Sequence, residues 1–183
     1  APDSHIHLTT WNADKHQGKI EIGDFCLFSP GVRISAATHI KIGNSCMFAN
    51  SAYISDSDWH GIYDRALPVG KSEKVILEDN VWIGDGSIVS KGVTIGKNSI
   101  VGARSVVIKD VPENVIVAGN PATIIKELDE SEKMISRADM FSSPEELDAL
   151  YFLFSMFAWG CIDGIDVKIK NCLYDAIKCN TII

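Results

Sequence analysis

The sequence predicts an all-β solenoid of triangular coils followed by an α-helical C-terminal tail. Between residues 81 and 108 a bulky aliphatic residue recurs at every sixth position, at Ile83, Val89, Ile95, Val101 and Val107. The step from Leu77 to Ile95 is eighteen residues, three such sixes. Towards the C-terminus, Ser143, Pro144 and Glu146 precede a long apolar run.

The first observation excludes the two commonest alternatives. An α-helix turns about 100° per residue, so a period of six spreads the hydrophobes around the cylinder. Six is a multiple of the strand period of two, but one unbroken strand over 81–108 is far beyond the usual length. The chain must therefore turn a corner between beats, which describes short strands stacked coil on coil about 4.8 Å apart. The same register runs through Ile22, Phe28, Ile34, Ile42, Phe48 and Ile54. Four residues after each beat stands a small or β-branched residue: Cys26, Val32, Thr38, Cys46, Ala52, Val81, Ser87, Val93, Ser99 and Ser105. These are expected to point inward too. Glycine follows the beat at Gly23, Gly43, Gly84, Gly96 and Gly102, where a corner asks for backbone freedom.

Eighteen residues make one coil with a strand on each of three sides. The step from Ile22 to Ile42 is twenty, which predicts a two-residue bulge near His39–Lys41. From Ile42 to Leu77 the step is thirty-five, so about seventeen residues leave the solenoid and return in register. Residues 1–19 read as an N-terminal leader, 20–128 as the solenoid with an excursion at 55–76, and 129–183 as a helical extension. Long loops on a rigid scaffold tend to carry binding and catalysis, and this one reads "SDSDWHGIYDRALPVGKSEKVI".

The hexads "IGNSCMFANSAYI" and "VWIGDGSIVSKGVTIGKNSIVGARSVVIKDVPENVIVAGNPATIIKEL", joined by that His-bearing loop, resemble the bacterial hexapeptide-repeat acyltransferases. The nearest likeness is to sugar O-acetyltransferases of the galactoside, maltose and polysaccharide-modifying kind, over roughly residues 20–128. The resemblance implies a left-handed parallel β-helix, against the usual right-handed crossover. It also implies a homotrimer with sites between neighbouring solenoids, acetyl-CoA as acyl donor and a carbohydrate acceptor.

Moving an acetyl group to a sugar hydroxyl needs a base and a donor for the oxyanion. His60 is the sole histidine of the loop and stands where these enzymes carry their catalytic imidazole. Asp56 or Asp58 is expected to fix its tautomer. By family position the pantetheine arm would run past Trp82, Asp85, Ala103 and Ile108, with Lys109 and Lys126 near the nucleotide end and Arg104 as a further candidate. Asp85 departs from the hydroxyl residue often found after W-I-G, and an ionised carboxylate cannot donate to an oxyanion. For the acceptor, Trp59 and Tyr63 are candidates to stack on a sugar ring, and Asp64 and Arg65 to bond its hydroxyls. Trp59 as a loop anchor is the alternative. Asn50 and Ser29 are corner residues that either face the cleft or make turn hydrogen bonds. No metal is expected, because the zinc-binding β-helix carbonic anhydrases converge three imidazoles and this loop has one.

"AGNPATIIKEL" closes the solenoid; in the family it leads into a helix beneath the coil. Residues 129–138 suit a short exposed helix. Ser143 as N-cap, Pro144 at N1 and Glu146 at N3 then open a helix reaching about Trp159, apolar nearly all round and so packed on several sides. The run 149–162 is too short to span a bilayer; contact with a lipid-linked acceptor at a membrane surface is the other account of it. The net charge of −7 disfavours nucleic acid as a partner. The five cysteines fall in no metal spacing; Cys26 and Cys46 read as core residues, and a reducing cytoplasm is the expected location. No signal peptide or transmembrane run is evident, although the chain starts at Ala1. N-acetylation of an amino sugar and a non-catalytic binding scaffold are the competing functions.

Overall fold

The computed structural model describes residues 5–13, 16–141 and 167–169. Strand β1 (His7–Thr10) is followed by a two-stranded antiparallel ribbon, β2 (Asn12–Ala13) and β3 (His16–Gln17). One coil is β4 (Lys19–Ile22), β5 (Leu27–Phe28) and β6 (Arg33–Ala36), and the next is β7 (His39–Ile42), β8 (Met47–Phe48) and β9 (Tyr53–Ser55). After the excursion come β10 (Val75–Leu77), β11 (Trp82–Ile83) and β12 (Ile88–Val89), then β13 (Thr94–Ile95), β14 (Ile100–Val101) and β15 (Val106–Val107). The solenoid closes with β16 (Val115–Gly119) and β17 (Ala122–Glu127), and β18 (Val167–Ile169) joins from far along the chain.

These strands form three sheets, one per side. The first face is β1-β6-β9-β12-β15, the second β13-β10-β7-β4-β18 and the third β17-β16-β14-β11-β8-β5. Pairing between coils is parallel, and equivalent hexad positions sit directly over one another, as in Ile34 on Ile54, Ile42 on Leu77 and Ile83 on Val101. Every beat residue from Ile34 to Val107 is buried, and Phe28 stacks on Phe48 at 4.6 Å. Each fully buried aliphatic side chain stabilises the column by about 1.5–3 kcal/mol.

The fourth position after the beat is more than a small filler. At Cys26, Cys46, Ser87 and Ser99 the hydroxyl or thiol donates to the carbonyl that follows the beat one coil on, whereas Ser105 Oγ accepts the Gly119 N–H at 3.0 Å. Cys26 Sγ donates to Gly43 O at 3.2 Å, Cys46 Sγ to Glu78 O at 3.2 Å, Ser87 Oγ to Gly102 O at 2.8 Å and Ser99 Oγ to Pro112 O at 2.6 Å. Thr38 departs from this role: it is half-buried, and Ala36 and Ala37 occupy the interior beside it.

Two local expectations change. No bulge interrupts β7, which pairs with β4 in unbroken register from Lys19–His39 to Ile22–Ile42. The two extra residues instead lengthen the side ending at Ala36 and its corner at Ala37–Thr38. The glycines after the beat also serve another purpose than the one expected. The left-handed backbone falls two residues later, at Phe25, Ser45, Ser51, Asn80, Asn98, Arg104 and Asn114 and at Gly31, Gly86 and Gly92. Gly43 is required by contact: a Cβ there would lie 2.5 Å from Asp79 Oδ1 and 2.7 Å from the Glu78 carbonyl carbon of the next coil. At the left-handed positions Asn80, Asn98 and Asn114 form a ladder, Asn80 Nδ2 to Asn98 Oδ1 at 3.0 Å and Asn98 Nδ2 to Asn114 Oδ1 at 2.7 Å.

The ends also differ from expectation. Residues 7–10, read as leader, add a strand to the first face. The segment 118–128 makes no helix; β16 and β17 form an antiparallel hairpin across a cis Asn120–Pro121 bond. Residues 129–136 are likewise not helical, and a 3₁₀ turn spans Arg137–Phe141. This strap runs back along the corner between second and third faces, from Leu128 N–H on Asn114 O to Arg137 Nε on Phe25 O and Ala138 N–H on Ser45 Oγ. Beyond it, β18 pairs in parallel with β4. The helix expected over 143–159 and Cys161, Cys172 and Cys179 lie outside the described residues. Among the described residues no helix is long and apolar enough to cross a membrane.

Gly43→Ala forces the clash with Glu78 and Asp79 and is expected to cost about 1–3 kcal/mol. A drop in melting temperature on the order of 5 °C in thermal unfolding checks this.

Candidate active site

The corner joining the first face to the second carries both interruptions of the solenoid. The β2–β3 ribbon leaves it between β1 and β4, and the long loop leaves it between β9 and β10. Between them lies the corner Ala37–Thr38, lengthened but without an excursion.

The loop has a closed neck. Ser57 and Ser72 form an antiparallel bridge with their Oγ atoms 2.9 Å apart, the Asp58 N–H donates to Lys71 O at 2.9 Å and the Gly70 N–H donates to Asp58 O at 2.6 Å. Gly70 is obligatory, since a Cβ would collide with the His60 carbonyl oxygen and lie 2.9 Å from that of Asp58. At the tip Asp64 Oδ1 accepts the Ala66 N–H at 3.1 Å, a local turn bond.

Asp56 roots the loop. It is completely buried, and its two carboxylate oxygens accept the Ala37 N–H at 2.7 Å and the Thr38 N–H at 2.8 Å, so the extra-length corner is satisfied from the coil above. Burial pushes its carboxyl above the ordinary range, against the pull of these amides. Asp58 turns to Lys91 Nζ at 2.6 Å, a pair about one-quarter to one-third exposed. Neither carboxylate bonds His60, whose exposed ring has no hydrogen-bond partner among the described residues. Trp59 is anchored, its indole N–H donating to both Tyr53 Oη and Ser55 Oγ at 3.1 Å. Tyr63 and Arg65 are exposed. Nearby on the second face Glu21 bonds Lys19 and lies 2.8 Å from His39 Nε2, which together hold its carboxyl down at about 2.

The remaining candidates divide between two places. Ile108, half exposed, and the exposed Lys109 share the corner of the His60 loop. Asn50, Asp85 and Ala103 instead make a column on the corner between third and first faces. There Asn50 O accepts the Gly86 N–H, Asp85 O accepts the Arg104 N–H at 2.7 Å, and the Asp85 carboxylate lies 3.4 Å from Arg104 Nε. Ser29 lies on the same corner and donates its N–H to Phe48 O. Trp82 projects from the third face between Met47 and Ile100, 44% exposed. Lys126 lies exposed on β17. Within one chain, therefore, the His60 corner and the Asp85 column are separated by the width of the first face.

Three partners of the loop escaped the sequence reading: Lys91, Trp11, and the Tyr53–Ser55 pair. Lys91 was legible in principle, as the corner residue two after a beat in the coil following the loop. Trp11, whose ring lies 6.3 Å from that of Trp59, carried no signal because the ribbon has no hexad register. Among the described residues no three His, Cys, Asp or Glu side chains converge as a metal site.

Asp56→Asn leaves one corner amide without an acceptor and is expected to cost about 1–3 kcal/mol at neutral pH. Because the folded carboxyl titrates above its unfolded value of about 3.8, the folded state binds the extra proton in that window. Stability of the wild-type chain therefore falls as pH rises from about 3.8 through the folded value, and a pH series of melting temperatures should lack this component in Asp56→Asn. Lys91→Met removes a partly exposed ion pair, worth about 1 kcal/mol. Hydrogen exchange at the Asp58 and Gly70 amides should speed up about fivefold.

The family model described as "Bacterial transferase hexapeptide (six repeats)" matches residues 74–109. A galactoside O-acetyltransferase of Lactococcus lactis is 40% identical over 52% of this chain and 46% of its own. A putative lipopolysaccharide biosynthesis O-acetyl transferase of Escherichia coli is 30% identical over 67% of each chain. The chain thus spans about half the length of the first relative and two thirds of the second. Among solved structures, a hexapeptide-repeat acetyltransferase of Vibrio cholerae, complexed with acetyl coenzyme A, superposes with a TM-score of 0.59 at 31% identity over 67% of this chain and 66% of that one. Three parallel faces, hexads in register from coil to coil and likeness over two thirds of a relative's length lead to one assignment: the chain belongs to the hexapeptide-repeat acyltransferases, with their left-handed β-helix.

Proposed function

We propose that the chain transfers an acetyl group from acetyl-CoA to a hydroxyl of a carbohydrate acceptor, in sites formed between the copies of a homotrimer. His60 takes the hydroxyl proton, the oxygen attacks the thioester carbonyl, and the C–S bond breaks. The coenzyme A thiolate recovers a proton and the acetyl ester leaves. Imidazole suits this exchange near neutral pH. Direct attack accords with the cysteines described: Cys26 and Cys46 are buried, and the Cys26 thiol is pushed up by the Cys46 sulfur beside it and by burial, so it supplies no thiolate.

The observation that carries this reading is the separation of the His60 corner from the Asp85 column. In a cyclic trimer the interface is heterologous, so unlike corners of neighbouring copies meet. His60, Ile108 and Lys109 of one copy would then face Asn50, Asp85, Ala103 and Arg104 of the next. In that arrangement Asp85 carries its acidic group against Arg104, and oxyanion donation falls to main-chain N–H groups. Trp82 and Lys126 extend the donor surface along the third face. Asp58 holds the loop through Lys91, and Asp64 and Arg65 lie at the loop tip towards the acceptor. The sugar hydroxyl as acceptor draws on the similarity to the galactoside and lipopolysaccharide O-acetyltransferases.

Release of free thiol from acetyl-CoA with a panel of saccharides, amino sugars included, tests the reading, and alkali-lability of the product separates ester from amide. His60→Ala is expected to lower kcat/KM about 10²–10⁴-fold. A variant that keeps the wild-type rate would overturn His60 as the base. Absence of both coenzyme A binding and thiol release with every acceptor would favour a non-catalytic binding scaffold.

A further inference from the structure

We infer that Trp11 and Trp59 together form an aromatic wall that stacks on a pyranose ring of the acceptor, with Trp11 as a specificity-determining residue delivered by the β2–β3 ribbon. The inference rests on the carbohydrate reading above.

Among the aromatics in and beside the loop, two are poor candidates for a stacking platform. Tyr63 is fully exposed at 101%, so nothing fixes its ring. Tyr53 is committed: the Arg33 guanidinium covers its ring at 4.6 Å and its hydroxyl accepts the Trp59 N–H. Trp59 is held in orientation by two hydrogen bonds from one nitrogen and is only half-buried. Trp11 meets it with centroids 6.3 Å apart and planes inclined at 58°, so the two rings make an open angle instead of covering each other face to face.

Trp11 is fixed through its main chain. Its N–H donates to Ala36 O at 2.8 Å and its carbonyl accepts the Gly18 N–H at 2.9 Å, which staples the base of the ribbon to β6. A Cβ at Gly18 would strike Ala36 O and lie 2.8 Å from Trp11 N, so this staple excludes any larger residue there. Yet Trp11 leaves 37% of itself in water. A large apolar surface kept exposed on a rigid support is the form of a binding platform. A pyranose ring matches it, with a C–H face for the indoles and a rim of hydroxyls for the polar groups around them. His60 directly follows Trp59 in the chain, so the wall stands beside the proposed base.

Calorimetric titration of the full chain with a panel of neutral mono- and disaccharides, beside steady-state kinetics, tests this. Trp11→Ala is expected to raise both Kd and KM for the saccharide about tenfold, with KM for acetyl-CoA at its wild-type value. Trp11→Phe should recover most of the affinity. Because Trp11→Ala keeps the main-chain staple but removes the ring contact to Trp59, its melting temperature is measured alongside, and Trp11→Phe decides should Trp11→Ala fail to fold: a saccharide preference unchanged in Phe but lost in Trp11→Leu supports the wall. Saccharide Kd and KM insensitive to Trp11 would overturn the inference while the acetyltransferase reading stands. A rise in KM for acetyl-CoA instead would assign the wall to the donor and also overturn it. Saccharide binding that depends on Trp11 without any turnover would uphold the wall and sink the catalytic reading.

Discussion

Everything in this molecule depends on the fixed separation of about 4.8 Å between hydrogen-bonded strands, imposed once per coil on every side of a prism. Because each residue lies directly over its equivalent, the column tolerates only what repeats. A Cβ at Gly43 is intolerable because the next coil's backbone is already there. Cys26, Cys46, Ser87 and Ser99 each meet the same carbonyl of the following coil because that carbonyl is always at the same height. The Asn80–Asn98–Asn114 ladder extends the rule to the outside of a corner.

The same constraint decides where the chain can depart from the repeat. An extra residue within a strand would shift every side chain after it to the opposite face. Insertions are therefore confined to corners, where the strand has ended. Here the two long ones and the lengthened Ala37–Thr38 turn use the same corner on successive coils. Stacked excursions can support one another, as Trp11 and Trp59 do across the turn between them. The supports run downward as well: Asp56, at the root of the loop, completes the amides of the turn below it.

How far sequence carried the reading follows from this asymmetry. The three faces, the coil length and the existence of the excursion were legible because stacking writes its period directly into the residues, at Ile83 through Val107 most plainly. The purpose of the glycines was misread because composition records that a side chain is missing and leaves open whether φ or contact forbids it. For 118–128 the family resemblance and the Asn120–Pro121 breaker point to a helix, whereas pairing with β16, which the segment's own pattern does not announce, makes β17 a strand. In the candidate site His60, Trp59 and the two aspartates are singled out by the loop together with the family resemblance. Their partners are not: Lys91 and Trp11 are neighbours across coils, and Tyr53, in the strand just before the loop, has an ordinary strand position that does not announce the contact.

A rigid prism also limits what the site can do. Its side chains cannot close over a substrate, because every strand is locked above and below, so enclosure has to come from a loop or from another copy. The loop is itself tied at the neck by Ser57–Ser72, at the root by Asp56 and at the side by Lys91. With the described strands and loop so held, the approach of a second rigid body is one way to complete a cleft. This is why the division of the candidate residues between two corners weighs more in the proposed reading than any single residue among them: a column that cannot bend would need assembly, as in the proposed trimer, to bring those corners together.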